Sequence, residues 1–317
     1  MINSITDEFG RTFKTLRVSL TNTCNLACSY CVDISETKKS KNSEQKVLTT
    51  EQYIQLIQIL HNILSLETVR LTGGEPTLYK ELIPLINGIK NTGINQIKMT
   101  SNATQLDAIN LKNAGLSSVN ISLDAIDDNI SFNISKRRKL QQTLTNIEKA
   151  IGTGLQVKIN CVVMKGVNDN QLLKIFEYGK KRNISVRFLE LMQMGHLHHN
   201  YKEYFISEKE IIKTINAHYD ITPLNRDINA TAKYWITNDG YKFGIIANES
   251  DPFCNDCNRL RLDSYGNIYG CLSNNHPINI LGCLDNEEEL KIRLVNALSQ
   301  KKTKFSGSAL SMLHIGG

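Results

Sequence analysis

Six of the eight cysteines fall into two triads whose spacing suits metal chemistry. Cys24, Cys28 and Cys31 stand C-x3-C-x2-C in the stretch TLRVSLTNTCNLACSYCVD (15–33), and Cys254 and Cys257 form a C-x2-C pair followed, after 13 intervening residues, by Cys271. Thiolates are the usual ligands of a [4Fe–4S] cube, which has four irons to satisfy. Three closely spaced thiolates leave one iron open, and an open position on a metal is where a small molecule binds and reacts. Zinc with a distant fourth ligand is the alternative for the first triad. Two readings stand for the second. Either Cys283 completes a closed structural site, or only three thiols ligate and a second cluster also keeps an open iron, this time for substrate.

The bulk properties narrow the class. A chain of 317 residues, 41% hydrophobic and 21% charged, has the composition of an ordinary globular protein, in one large α/β domain or two smaller ones. It has no apolar run long enough to span a membrane, and its N-terminus has no signal-peptide core. Eight cysteines in such a chain point to metal ligation over disulfides and to the cytoplasm. The net charge of +6 suits a small phosphorylated substrate better than a polyanion. The run Lys136-Arg137-Arg138-Lys139 has no interleaved aromatic residues and reads as a solvated loop before a helix, not a nucleic-acid surface. His196, His198 and His199 read likewise as a solvated loop.

The elements that must position the triads alternate. Leu16, Val18 and Leu20 mark a first strand by their period of two, and Glu36 to Lys46 reads as a flexible polar loop. A Thr49/Gln52 capping box opens a helix with Tyr53, Leu56, Ile57, Leu60 and Leu64 on one face. Strands are expected at 69–71, 97–100, 118–123, 157–164 and 184–192, with helices at 82–89, 106–114, 140–151 and 172–181. Six βα-type units in succession mean a parallel sheet with helical crossovers, curled into part of a barrel, with its functional residues at the C-terminal strand ends. The first triad and Thr72-Gly73-Gly74-Glu75-Pro76 follow strands one and two there. Beyond about Gly195, a short helix (207–217) and strands at 233–237, 241–247 and 259–263 read as an antiparallel appendage. The expected division is residues 1–195 and 196–317.

A strand running straight into C-x3-C-x2-C, with Tyr30 before the third cysteine, resembles the radical S-adenosylmethionine (SAM) enzymes, where SAM chelates the open iron. CNLACSYC, RLTGGEP, MTSN, NISLDAID, KINCVVMKGVND, VRFLELM, CNDCNRLRL and a closing Gly316-Gly317 resemble, in order, the GTP 3′,8-cyclase family of molybdenum-cofactor biosynthesis. The resemblance implies an incomplete (β/α)6 TIM-type barrel with a C-terminal extension carrying a second [4Fe–4S] cluster. It favours three ligands there, with Cys161 and Cys283 as structural thiols. It implies SAM contacts from Tyr30, Gly74, Ser122 and Met192, and GTP contacts from Arg17, Arg70, Thr100, Lys158, Arg259, Leu260 and Arg261.

The implied reaction removes hydrogen from the ribose 3′ carbon and bonds that carbon to guanine carbon 8, giving 3′,8-cyclo-7,8-dihydro-GTP. Arg17 is implied to assist its last step catalytically, and the Gly-Gly tail to enter the barrel beside SAM and Arg17. Cyclic pyranopterin monophosphate synthase is the implied pathway partner. A reductant such as flavodoxin or ferredoxin and a second copy of the chain complete the expected partners, with neither nucleic acid nor membrane among them. Buried arginine is rare unless paired, so cations on strands one, two and five argue for an anionic ligand, with Asp124 and Glu190 as the competing partners. The sequence departs from the family at Thr68, where a lysine is usual, and in a shortened segment after Asp127. The rival readings are a radical SAM peptide-modifying enzyme with an auxiliary cluster and a nucleic-acid-binding zinc-ribbon protein.

Overall fold

The computed structural model describes residues 5–32 and 47–315. The polar stretch 36–46 and Gly316-Gly317 lie outside the described residues. Among those described, twelve strands form one sheet. Strands β1 (Thr15–Ser19), β2 (Thr68–Thr72), β3 (Gln96–Ser101), β4 (Leu116–Ser122), β5 (Gln156–Val163) and β6 (Ser185–Glu190) pair in parallel, each with the next. Helices α1 (Thr50–Leu64), α2 (Leu82–Asn91), α3 (Ala108–Ala114), α4 (Asp128–Ser135), α5 (Leu140–Gly152) and α6 (Leu172–Lys181) supply the crossovers. The Thr49/Gln52 capping box is formed, and all five residues named for the α1 face are buried.

The C-terminal part is more than a hairpin at one side. After α7 (Tyr201–Tyr204) and α8 (Glu208–Asn216) come β7 (Ile221–Pro223), β8 (Lys233–Thr237) and β9 (Lys242–Ile246), then β10 (Arg259–Leu262), β11 (Asn267–Tyr269) and β12 (Ile278–Asn279). The pairs β7–β8, β8–β9, β10–β11 and β11–β12 are antiparallel, as expected. In addition, β9 joins β6 in parallel and β10 joins β1 in parallel, so the extension lengthens the barrel wall at both edges. Helices α9 (Glu287–Leu298) and α10 (Met312–Ile315) close the described chain. No helix of the described residues is long and apolar enough to cross a membrane.

Alternation along the parallel strands decides what the barrel encloses. Leu16 and Val18, Val69 and Leu71, Ile97 and Met99, Val119 and Ile121, Ile159 and Cys161, and Val186 and Phe188 are buried in the main core. The residues that alternate with them, Arg17, Arg70, Lys98, Asn120, Lys158, Asn160 and Arg187, line a cavity instead. A parallel sheet packed on both faces usually reads as continuous apolar runs. Here the lumen face is polar and cationic, so it is built to receive a ligand.

A buried clamp fixes the N-terminal segment to the second cysteine loop. Arg11 pairs with Asp7 at 2.5 Å and donates from Nη1 to the Cys254 carbonyl at 2.6 Å. Burial raises the Asp7 carboxyl, but the hydrogen bonds and charge of Arg11 outweigh it and hold the group below its ordinary 3.8. Its contribution is therefore present above that pH and is lost as pH falls through the lowered value. Asp7→Asn should cost about 3 kcal/mol at pH 7, because Arg11 is left unpaired. Urea midpoints should show the gap between variant and wild type closing under acid.

Candidate active site

Each cysteine triad lines the wall of its own cavity. The first cavity, of about 250 Å³, collects Cys24, Cys28, Cys31, Tyr30, Gly74, Ser122 and Met192, all seven residues that sequence reasoning assigned to cluster and SAM. The second, of about 510 Å³, collects Arg17, Arg70, Thr100, Lys158, Arg259, Arg261, Cys254, Cys257 and Cys271. The two cavities share Thr100, Asn160, Leu189, Met192 and Met312 as lining. Of the assigned residues only Leu260 is elsewhere. Strand alternation turns Arg259 and Arg261 to the cavity and sends the Leu260 side chain, 0% exposed, into the core.

The first cysteine loop is held from three sides. The Gly74 N–H donates to the Thr21 carbonyl at 2.6 Å and that of Glu75 to the Thr23 carbonyl at 2.9 Å. A Cβ on Gly74 would stand 2.2 Å from the Thr23 oxygen, so only glycine permits this approach. On the second side, Ala27 and Ser29 donate to the Ser135 and Ile134 carbonyls at the end of α4. The Tyr30 hydroxyl donates to Asp124 Oδ2 at 2.7 Å on the third, while the Val162 N–H holds Oδ1 at 2.9 Å. His196 also reaches the loop, its Nε2 lying 2.8 Å from the Ser29 carbonyl, so this histidine is half-buried and docked instead of solvated. Gly74→Ala should cost about 1–3 kcal/mol, since backbone cannot yield as a side chain does. Its urea midpoint should fall well below that of Gly152→Ala, where an added Cβ meets nothing within 4 Å.

Neither Asp124 nor Glu190 neutralises the arginines. Asp124, pushed up to about 6 by burial, serves Tyr30 and Val162. Glu190 accepts the N–H groups of Glu208, Glu249 and Ser250. Among the described residues no ion pair involves Arg17, Arg70, Lys98, Lys158, Arg187 or Arg259. Burial pulls Arg17 well below the usual guanidinium value, and Arg261, Arg70, Arg259 and Arg187 add repulsion. Buried Nε atoms of Arg17 and Arg187 have no hydrogen-bond partner. Lone donors and crowded positive charge on one wall are what an oligoanionic ligand would satisfy.

The thiols differ between the triads. Burial raises Cys24 and Cys28, and with Cys24 beside it pushes Cys31 up to about 12. Burial also raises Cys254 to about 11. Cys257 goes the other way: Arg259 and Lys301 overcome its burial and bring it down to about 6, with Lys301 Nζ 3.3 Å from its sulfur. Among the described residues no three His, Cys, Asp or Glu groups are gathered as a single metal ion would require. Soft sulfur donors in threes along a cavity wall fit the more widely spaced ligands of an iron–sulfur cube. Cys283 and Cys161 are each 1% exposed in the core, away from either cavity.

Sequence reasoning left several lining residues unassigned: Glu75, Lys98, Asn120, Asn160, Arg187 and Lys301. Glu75, 1% exposed, takes hydrogen bonds from Ser101 Oγ and the Asn102 N–H, both 2.7 Å, and thus ties the Gly-Gly turn to β3. Lys98 and Arg187 carry the same alternation signal as Arg70. In the basic run, Lys136 caps α4, Arg138 pairs with Asp128, and Lys139 reaches the first cavity.

A curled parallel sheet with a three-cysteine loop after its first strand is the architecture of the radical SAM class. Residues 18–179 match the model of the Radical SAM superfamily, and residues 184–307 that of Molybdenum Cofactor Synthesis C. The structure is similar to SuiB of Streptococcus suis bound to S-adenosylmethionine (TM-score 0.64, 14% identity, 91% of this chain and 68% of that one). It is similar also to native anSMEcpe with bound AdoMet (TM-score 0.64, 15% identity, 92% and 84%). The chain belongs to the GTP 3′,8-cyclase family. It is 36% identical to the Synechocystis GTP 3′,8-cyclase over 283 residues (88% of this chain, 85% of the relative). Its identity with the Clostridium botulinum one is 34% over 323 residues (98% and 99%). Membership of the superfamily implies SAM and a [4Fe–4S] cluster.

Proposed function

We propose that this protein converts GTP to 3′,8-cyclo-7,8-dihydro-GTP, the first step of molybdenum-cofactor biosynthesis. The observation that carries this reading is the junction of the two cavities. A wall suited to SAM and a wall suited to a nucleoside triphosphate meet at Thr100, Asn160, Leu189, Met192 and Met312. Cys24, Cys28 and Cys31 would hold the cluster and Tyr30, Gly74, Ser122 and Met192 the SAM, together supplying a 5′-deoxyadenosyl radical that takes hydrogen from the ribose 3′ carbon. Arg17, Arg70 and Lys158 would grip the triphosphate, while Arg259 and Arg261 hold it from β10. Anchoring at the phosphates keeps the ribose 3′ carbon within reach of guanine carbon 8, the near-attack geometry that ring closure needs. Arg17, which lines the second cavity, would donate a proton late in the reaction. Cys254, Cys257 and Cys271 would hold a second cluster facing the base, and the charge of Lys301 beside Cys257 favours its thiolate form. The product would pass to cyclic pyranopterin monophosphate synthase, and electrons would come from flavodoxin or ferredoxin.

Anaerobically prepared protein should contain about eight irons per chain, four for each cube. With SAM and reductant, release of 5′-deoxyadenosine should rise on adding GTP. A release that GTP leaves unchanged would remove the cyclase reading, and zinc in place of iron would remove the enzyme reading altogether.

A further inference from the structure

The strand register sets four cations side by side. Arg261 on β10 is opposite Arg17 on β1, Arg17 is opposite Arg70 on β2, and Arg70 is opposite Lys98 on β3. All four line the 510 Å³ cavity. Like charges directly opposite one another destabilise a sheet, so a run across four neighbouring strands is costly unless an anion lies along it. Lys98 ends the row. It is half-buried, and among the described residues it has no hydrogen-bond or ion-pair partner. Arg70 and Lys158 both disfavour its charge, after burial. A lysine in ordinary solvent would turn away from such neighbours. Thr68, two residues before Arg70 on the same face of β2, lines the same cavity without charge.

We propose that Lys98 binds the polyphosphate of the substrate and sets the preference for a nucleoside triphosphate over shorter phosphates. The proposal rests on the nucleotide reading above. A row of cations across four strands suits a chain of phosphates better than a single one, and the outermost cation counts only when the chain is long enough to reach it.

The test uses anaerobically reconstituted protein and equilibrium dialysis against GTP, GMP and inorganic tripolyphosphate. Lys98→Met should weaken GTP and tripolyphosphate by about tenfold or more, the effect of one charge-assisted contact, and leave GMP within about twofold. Lys98→Arg should keep most of the affinity, and Thr68→Lys added to Lys98→Met should restore part of it, because the charge returns to the same cavity. Thermal melting should show each variant folded, since removing a repelled charge does not empty the core; should Lys98→Met fail to fold, Lys98→Gln takes its place. Unchanged GTP affinity in Lys98→Met, or equal losses for GTP and GMP, would overturn the proposal while leaving the cyclase reading intact. Wild-type protein that binds tripolyphosphate through Lys98 but ignores GTP would overturn both the cyclase reading and the nucleotide preference assigned to Lys98.

Discussion

Cys24→Ala is expected to abolish GTP-dependent release of 5′-deoxyadenosine and to lower bound iron from about eight to about four per chain, leaving the second cube in place. Partners one shell away from a metal cost about 10–100-fold when removed, and loss of a ligand itself costs more. The Cys24 sulfur also accepts from the Leu26 N–H at 3.4 Å and lies 3.9 Å from Asn102 Nδ2, so alanine loses loop contacts as well. The discriminating partner is Cys283→Ala. Cys283 packs in the core, 1% exposed, and does not line the cavity of Cys254, Cys257 and Cys271. Its replacement should keep both iron content and turnover, at a stability cost on the order of 1 kcal/mol. Loss of four irons in Cys283→Ala would show a closed, four-thiolate site in the extension, with no open iron for substrate.

Arg17→Met should separate stability from function. Arg17 faces Arg70 and Arg261 across its neighbouring strands, and its buried Nε lacks a partner. Methionine removes that repulsion and follows the arginine side chain as far as Nε, so the ligand-free protein should melt at or above the wild-type temperature. GTP should stabilise the wild type by about 2.7 kcal/mol at a hundredfold excess over its dissociation constant. One charge-assisted contact is about 1.5–3 kcal/mol, so the variant should bind GTP some 10–150-fold more weakly and lose about half to nine-tenths of that ligand-induced shift. Differential scanning fluorimetry with and without GTP reads both quantities. A lower melting point with an unchanged GTP shift would make Arg17 a structural residue.

Glutamate and lysine positions show how far local pattern reaches. Period-two alternation places Arg17, Arg70 and Lys158 on one face of their strands, and the same rule covers Lys98 and Arg187, whose neighbours Met99 and Phe188 are buried. Helix α9 was legible in principle, with Asn286 as cap and Leu290, Leu294, Ala297 and Leu298 at helical spacing. Helix α4 has only Asp127 as cap and Ile130 and Ile134 four apart, too short a period to distinguish from a loop. The Glu75 carboxylate bonds Ser101 and Asn102, 26 and 27 residues on, and no local rule pairs those positions.

The order of motifs and the alternation of apolar and polar residues determined the class of this protein, because both are local: a thiol spacing sets what a loop can ligate, and a period of two sets which side chains share a face. Tertiary structure decided the rest. It placed β10 against β1 across some 240 residues, which brought Arg259, Arg261 and the second triad to the cavity of Arg17 and Arg70. It also consigned Leu260 and Cys283 to the core. Strand pairing at that separation is settled by packing of the whole sheet, since the hydrogen bonds of one parallel edge are the same whichever strand supplies them.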